Sequence, residues 1–137
     1  MNLKKHILVV DDEPQFVELI KMRLEDDGYD VVTAFDGKEG LEKVKSESPD
    51  AVLLDILMPG LDGIKVLKKI RSKNKDLPVF IVTAFSNEER FEKARKYDVS
   101  GFIVKTSDLK REVENITNAI RISPLYKSRK KKGIFGK

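Results

Sequence analysis

The sequence predicts an α/β fold, a doubly wound, five-stranded parallel sheet with helices on both faces. Five short apolar runs alternate with five segments in which apolar residues recur at helical spacing. The runs are almost continuously apolar, which is typical of parallel strands that are buried on both faces. The connections are short enough to require right-handed crossovers. The usual order for such a sheet is 2-1-3-4-5, which places the first strand beside the third.

The first half of the chain contains three strands and two helices. The strands are the apolar runs at residues 6–10, 30–34 and 51–54. Between the first two, Pro14 is placed for the first turn of a helix with Asp12 as its N-cap, and Gly28 is placed to end it. Between the second and third, Asp36 and Glu39 have the spacing of a capping box, which predicts a helix through about residue 46.

The second half contains two strands, at 78–82 and 101–104, and three helices. The third helix is indicated by apolar residues at Ile64, Leu67 and Ile70. Ser86 and Glu89 form a second capping box and open the fourth helix. The fifth helix begins at Ser107 or Asp108, and its apolar stripe consists of Leu109, Val113, Ile116 and Ile120.

Composition limits the classes of protein. The length of 137 residues and the 40% of hydrophobic residues fit one domain with a sizeable core. The absence of Cys excludes disulfides, thiolate metal sites and Cys nucleophiles. No apolar run is long enough for a membrane span or an export signal, so we expect a cytoplasmic protein.

The positive charge is concentrated in one segment. The net charge is +4, but residues 123–137 contain six cations and no acid, so −2 remains on residues 1–122. We therefore expect a domain over residues 1–122 and a flexible basic tail or linker over 123–137. Any contact with nucleic acid is expected only through this tail.

Reactive side chains follow four of the five strands. Asp11 and Asp12 follow the first, Asp55 the third, Thr83 ends the fourth and Lys105 follows the fifth. Parallel strands bring these residues to one edge of the sheet. Three adjacent carboxylates repel unless a cation intervenes, and oxygen ligands alone suit Mg²⁺. With the Lys105 ammonium and the Thr83 hydroxyl, they would form a cradle for a phosphoryl group in transfer to a carboxylate.

These residues carry a family resemblance. Asp11-Asp12, the segment from Asp55 to Gly63, Thr83-Ala84, and Phe102 three residues before Lys105 resemble the receiver domain of two-component response regulators (the CheY-like fold). Each motif alone is weak, but the ordered set, over about residues 5–122, is highly specific.

The resemblance implies a role for each residue. Asp55 would be the phosphoacceptor, receiving its phosphoryl group from a histidine kinase or phosphotransfer protein. Asp11, Asp12, Asp55 and the carbonyl of Leu57 would hold Mg²⁺. Lys105 and Thr83 would contact the phosphoryl oxygens, and Thr83 and Phe102 would act as switch residues. The chain would be a signalling domain rather than an enzyme, acting only on its own phosphorylation state.

The resemblance also implies an output. The face made by helix four, strand five and helix five would change on phosphorylation and bind a downstream protein or an effector domain.

Two other functions fit parts of the pattern. A pseudo-receiver would be an interaction scaffold that takes no phosphate, but the intact acidic set and Lys105 argue against it. A metal-dependent phosphatase with an aspartyl nucleophile requires two acids spaced by one residue after strand one, together with a cap domain. Asp11 and Asp12 are adjacent, and no insertion is long enough for a cap.

Overall fold

Five strands alternate with five helices in a computed structural model that describes residues 4–57, 62–84, 88–105 and 108–122. In chain order they are β1 (His6–Val10), α1 (Pro14–Asp26), β2 (Asp30–Ala34), α2 (Gly37–Glu47), β3 (Ala51–Leu54), α3 (Gly63–Lys73), β4 (Val79–Thr83), α4 (Glu88–Arg95), β5 (Gly101–Val104) and α5 (Leu109–Ile122). The predicted number and order of elements are confirmed.

All pairs of neighbouring strands are parallel, and the sheet has the order β2-β1-β3-β4-β5. The predicted topology is therefore confirmed. The register pairs Val10 with both Ala34 and Leu54. It also pairs Thr83 with Val104. The residues that end these strands consequently stand level at the carboxyl edge of the sheet.

Each face of the sheet has its own hydrophobic core, because successive side chains of a strand point to opposite faces. On β1, Ile7 and Val9 belong to the core that α1 and α5 cover, whereas Leu8 and Val10 belong to the core beneath α2, α3 and α4. Helices thus cover both faces, as the sequence predicts. The stripe of α5 is confirmed, with Val113, Ile116 and Ile120 buried in the first core and Leu109 packed against it.

The capping predictions have mixed outcomes. The Asp36 carboxylate accepts the Glu39 backbone N–H at 2.8 Å, and the Glu39 carboxylate accepts the Phe35 N–H at 2.8 Å, so this predicted cap of α2 is confirmed. At α5, Asp108 accepts the Arg111 N–H at 3.1 Å. The predicted caps Ser86 and Ser107 lie outside the described residues.

The predicted N-cap of α1 is wrong. Glu13, not Asp12, occupies the N-cap position and makes no side-chain capping bond. The reason is local, since Pro14 at the first helical position has no N–H, and the Asp11 side chain takes the Glu13 N–H at 2.9 Å. The C-terminal prediction is confirmed, because Gly28 follows α1 with a φ of +98°, which glycine adopts most readily.

Within the described residues, no helix is both long and apolar enough to cross a membrane. Residues 123–137, which carry the predicted basic tail, lie outside the described part of the chain.

Candidate functional site

Backbone hydrogen bonds extend the sheet by one residue beyond its strands. The Asp11 N–H donates to the Ala34 carbonyl at 3.0 Å, and the Asp55 N–H donates to the Val10 carbonyl at 3.0 Å. On the other side, the Lys105 N–H donates to the Thr83 carbonyl at 2.7 Å. The sheet ladder therefore fixes the backbone of three predicted site residues at one edge.

Three carboxylates meet at this edge. Asp11, Asp12 and Asp55 each offer a carboxylate oxygen, and these oxygens lie within 4.8 Å of one another. Asp11 and Asp55 are 1% and 4% exposed, whereas Asp12 reaches solvent. The Asp55 carboxylate also accepts the Leu57 N–H at 2.8 Å, which orients it. The cluster is thus buried on the protein side and open at Asp12.

The Lys105 ammonium lies among the carboxylates. Its Nζ is 2.6 Å from Asp11 Oδ2, 2.7 Å from Glu13 Oε1 and 3.5 Å from Asp55 Oδ2. The charge also lies 4.3 Å from the centre of the Phe16 ring, a cation–π contact. Lys105 is therefore within reach of Asp55 but bound more closely by its other two partners.

Sequence reasoning missed Glu13 as a partner of Lys105. Glu13 follows Asp11 and Asp12 directly, and a third acid in succession after a strand end was the available signal. Which of three consecutive acids turns back toward the sheet depends on the turn into α1, and the capping pattern alone does not decide it.

Burial changes the pKa values of the groups in the cluster. Desolvation and, to a smaller extent, the nearby charge of Asp11 raise the pKa of Asp55 to about 6, against the opposing effects of the Leu57 N–H and Lys105. Desolvation likewise raises the pKa of Asp11. Burial acts to lower the pKa of Lys105, but its hydrogen bonds to Asp11 and Glu13 outweigh burial and raise it. Lys105 is therefore a permanent cation, while the carboxylates carry negative charge that it neutralises only in part.

The donor set fits a hard divalent cation. Carboxylate oxygens are the ligands that Mg²⁺ prefers, and no nitrogen or sulfur donor belongs to this cluster. The raised pKa values of Asp11 and Asp55 show that both carboxylates would gain from added positive charge.

Thr83, Phe102 and Leu57 are the remaining predicted site residues. Thr83 is fully buried at the end of β4. Phe102 on β5 is partly buried, and its ring packs against Phe91 of α4 with centroids 4.4 Å apart. Leu57 is placed by its N–H bond to Asp55, and the role of its carbonyl as a metal ligand stays a prediction.

Comparison with known proteins gives a family. The family model described as "Response regulator receiver domain" matches residues 7–117. The chain is 40% identical to the chemotaxis protein CheY of Treponema pallidum over 118 residues, covering 84% of this chain and 82% of that protein. It is 46% identical over 91 residues to PhoP of Bacillus subtilis, a regulatory protein of alkaline phosphatase synthesis, covering 66% of this chain and 37% of PhoP. The chain thus spans well under half the length of this longer relative.

Solved structures agree with this family. The response regulator TrrA of Thermotoga maritima, determined in complex with Mg²⁺ and BeF, has 38% identity and a TM-score of 0.71, covering 84% of this chain and 98% of that one. A CheY-like receiver domain protein from Methanospirillum hungatei has 26% identity and a TM-score of 0.80, covering 93% of this chain and 98% of that one. With the family model, these likenesses show that the chain belongs to the receiver domain family of two-component response regulators.

Proposed function

We propose that this receiver accepts a phosphoryl group on Asp55 in a Mg²⁺-dependent reaction. The observation that carries the proposal is the meeting of Asp55 with Asp11, Asp12 and Lys105 at one edge of the sheet. The donor is proposed to be the phosphohistidine of a histidine kinase or of a phosphotransfer protein.

The Asp55 carboxylate acts as the nucleophile. One of its oxygens forms a bond to phosphorus while the bond between phosphorus and the donor's imidazole nitrogen breaks, and the electron pair of that bond remains on the nitrogen. With a pKa of about 6, Asp55 is mostly ionised at pH 7 and is more basic than an ordinary carboxylate. The product is an aspartyl phosphate.

The neighbouring residues stabilise charge around the phosphoryl group. Lys105 lies 3.5 Å from Asp55 Oδ2 and can reach a phosphoryl oxygen once its bonds to Asp11 and Glu13 lengthen. Asp11, Asp12, Asp55 and the carbonyl of Leu57 would hold Mg²⁺, which supplies positive charge for the phosphoryl oxygens. The Thr83 hydroxyl is proposed to donate to a phosphoryl oxygen.

The output is proposed to be a change in the face of α4, β5 and α5. Thr83 ends β4 next to Val104 in the register, and Phe102 packs against Phe91 of α4. Val104 is 41% exposed and offers an apolar contact for a protein partner or an effector domain. Movement of Thr83 toward the phosphoryl group would shift this face.

Incubation of the full chain with acetyl phosphate and Mg²⁺, followed by intact mass spectrometry, tests the proposal. We expect a mass gain of one phosphoryl group, lost in Asp55→Asn and on chelation of Mg²⁺, and retained in the exposed control variant Asp26→Asn. No gain in the parent chain would favour the pseudo-receiver, and a gain in Asp55→Asn would place the phosphoryl group elsewhere. Sustained turnover of a generic phosphate ester would support the phosphatase instead.

A further inference from the structure

Helix α3 presents a row of lysines to solvent. Lys65, Lys69 and Lys73 recur every four residues and so share one face, with Lys68 beside them. All four are exposed. The opposite face packs into the core through Val66, Leu67 and Ile70. The helix contains no acidic residue, although residues 1–122 as a whole carry a net negative charge.

These lysines form no ion pairs among the described residues. In the described part of the chain, no carboxylate pairs with Lys65, Lys68, Lys69 or Lys73, whereas Lys43 and Lys93 elsewhere do form ion pairs with glutamates one turn away. Like charges spaced by four residues destabilise a helix. Lys73 in the last turn is favourable for the helix dipole, but the repulsion along the row is not offset by ion pairs with described carboxylates, so these charges are available to an acidic partner.

An apolar groove lies directly beside this row. It runs between α2 and α3 and has a volume of about 630 Å³. Leu41 and Val44, which are partly buried, contribute apolar surface above the buried Ile70, while Lys69 and Lys73 border the groove on one side and Lys45 on the other. The surface is thus apolar at its centre and cationic at both edges.

The basic surface continues along α3. A shallower depression of about 310 Å³ is lined by Lys65, Lys68, Lys69 and Ser72 and shares Lys69 and Ser72 with the groove. From Lys65 to Lys73 the helix rises roughly 12 Å, at 1.5 Å per residue. This length matches about two turns of a bound helix.

We propose that the groove between α2 and α3 docks an acidic amphipathic helix of a protein partner. Apolar side chains on one face of such a helix would contact Leu41 and Val44, and its flanking carboxylates would pair with Lys45, Lys69 and Lys73. This surface is separate from the α4, β5 and α5 face, and binding to it does not require phosphorylation of Asp55.

Other occupants fit the surface less well. A nucleic acid backbone has phosphates for the lysines but no apolar group for the groove, and a bilayer is too flat to enter it. Residues 123–137 carry six cations and no acid, so the lysines would repel them. A second copy docked symmetrically would place the same lysines against each other.

A synthetic peptide tests the proposal. The probe is a fluorescent helix of about four turns with leucines on one face and glutamates on the others, and its control is a peptide of the same composition with the leucines scrambled. We expect the probe to bind the full chain with an affinity that falls as the salt concentration rises. Binding should perturb amide NMR signals around residues 41–45 and 69–74. Asp55→Asn should bind it equally well.

Matched variants separate the groove from general basicity. The double variant Lys69→Glu/Lys73→Glu should lower the affinity for the probe at least ten-fold. The control variant Lys21→Glu/Lys110→Glu reverses the charge of two lysines on the opposite side of the sheet and should change this affinity less than two-fold. Lys69→Gln with Lys73→Gln should give an intermediate loss, and circular dichroism and thermal unfolding establish that each variant is folded.

Several results would overturn the proposal. They are equal binding of the scrambled peptide, perturbation confined to other surfaces, or an equal loss in the control variant. Tighter binding of duplex DNA or of vesicles rich in phosphatidylglycerol at the same residues would also overturn it, as would a dimer that buries α3.

Discussion

At the level of single residues, Lys105 is shared between two carboxylates of different exposure. Asp11 is buried and belongs to the cluster with Asp12 and Asp55, whereas the side chain of Glu13 is 58% exposed and lies outside that cluster. Both are closer to Lys105 than Asp55 is. Glu13 would therefore compete with the phosphoryl group proposed on Asp55 for the same ammonium.

Glu13→Gln should speed phosphorylation of Asp55. The variant removes a charged partner of Lys105, and such a pair contributes about 0.2–1 kcal/mol, so we expect the initial rate with acetyl phosphate to rise by a factor of about 1.4 to 5. Intact mass spectrometry at early times measures the rate. Glu18→Gln, an exposed change on the same helix, is the control, and a slower reaction in Glu13→Gln would mean that Glu13 positions Lys105 productively.

Asp55 should destabilise the metal-free protein above pH 6. Its pKa is about 6 in the folded protein against an ordinary value of 3.8, so the folded state binds more protons between pH 4 and 6. Stability contributed by this group therefore falls as pH rises through that window. At pH 8, Asp55→Asn should exceed the parent by about 2–3 kcal/mol in unfolding free energy, because one pKa unit corresponds to about 1.4 kcal/mol.

Urea unfolding in the presence of a chelator measures this difference. The advantage of Asp55→Asn should shrink below pH 6 and be nearly absent at pH 4. Mg²⁺ should then stabilise the parent at pH 8 by mass action, about 2.7 kcal/mol at a free concentration one hundred times its Kd, and have little effect on the variant. A difference independent of pH would contradict the burial of Asp55.

At the level of elements, the sequence predicts strands and helix ends well and side-chain partners less well. β1, β2, β3 and β5 begin and end as predicted, and β4 begins one residue later than predicted because Pro78 lacks the N–H that a strand ladder uses. Gly28 ends α1 and Asp36 caps α2 within their own turns, so the local sequence pattern is sufficient to predict both roles. The predicted N-cap of α1 is wrong because the Asp11 carboxylate accepts the Glu13 N–H in the turn and also binds Lys105 in the site.

The start of α3 connects the helix directly to Asp55. Gly63 is the first residue of α3, and a Cβ there would overlap Ile56 Cα and lie 2.8 Å from the Asp55 carbonyl oxygen. Both are backbone atoms, which cannot rotate aside as a side chain can. The helix therefore approaches the end of β3 so closely that only glycine fits.

Gly63→Ala should destabilise the domain by about 1–3 kcal/mol, the usual cost of overpacking. It should also slow phosphorylation, because the shift falls on the backbone next to Asp55. Gly40→Ala is the comparison, since its Cβ would meet only Val10 methyl groups at 3.0 Å and alanine favours a helix by up to about 1 kcal/mol. Equal stability of the two variants in urea would contradict the close approach at Gly63.

At the level of the whole molecule, the predicted fold follows from alternation alone, whereas the charge distribution needs the structure. The strand and helix pattern determines which strand ends meet, so the proximity of Asp11, Asp12, Asp55 and Lys105 could be predicted from the sequence alone. The groove between α2 and α3 could not be predicted from the sequence, because Leu41 and Ile70 are ordinary core positions in a periodic pattern. Only the packing of the two helices shows that lysines border a cavity.

The same charge distribution predicts what removal of residues 123–137 will do. All described elements of the sheet and both described cores lie within residues 1–122, so we expect a chain that ends at residue 122 to change in unfolding free energy by less than about 0.5 kcal/mol and to accept phosphate at the parent rate. Its net charge changes from +4 to −2, so weak, salt-sensitive binding of duplex DNA by the full chain should disappear. Fluorescence anisotropy with labelled DNA measures this loss.

The full chain with Lys130, Lys131 and Lys132 changed to Gln is the matched control for this deletion. It keeps the length of the chain and removes half of the six cations, so its DNA binding should fall between those of the other two chains and its salt dependence should be shallower. A lower melting temperature for the shortened chain, with no such loss in the substituted one, would show that residues 123–137 pack against the domain. DNA binding that survives the deletion would instead place the basic contact on the lysines of α3.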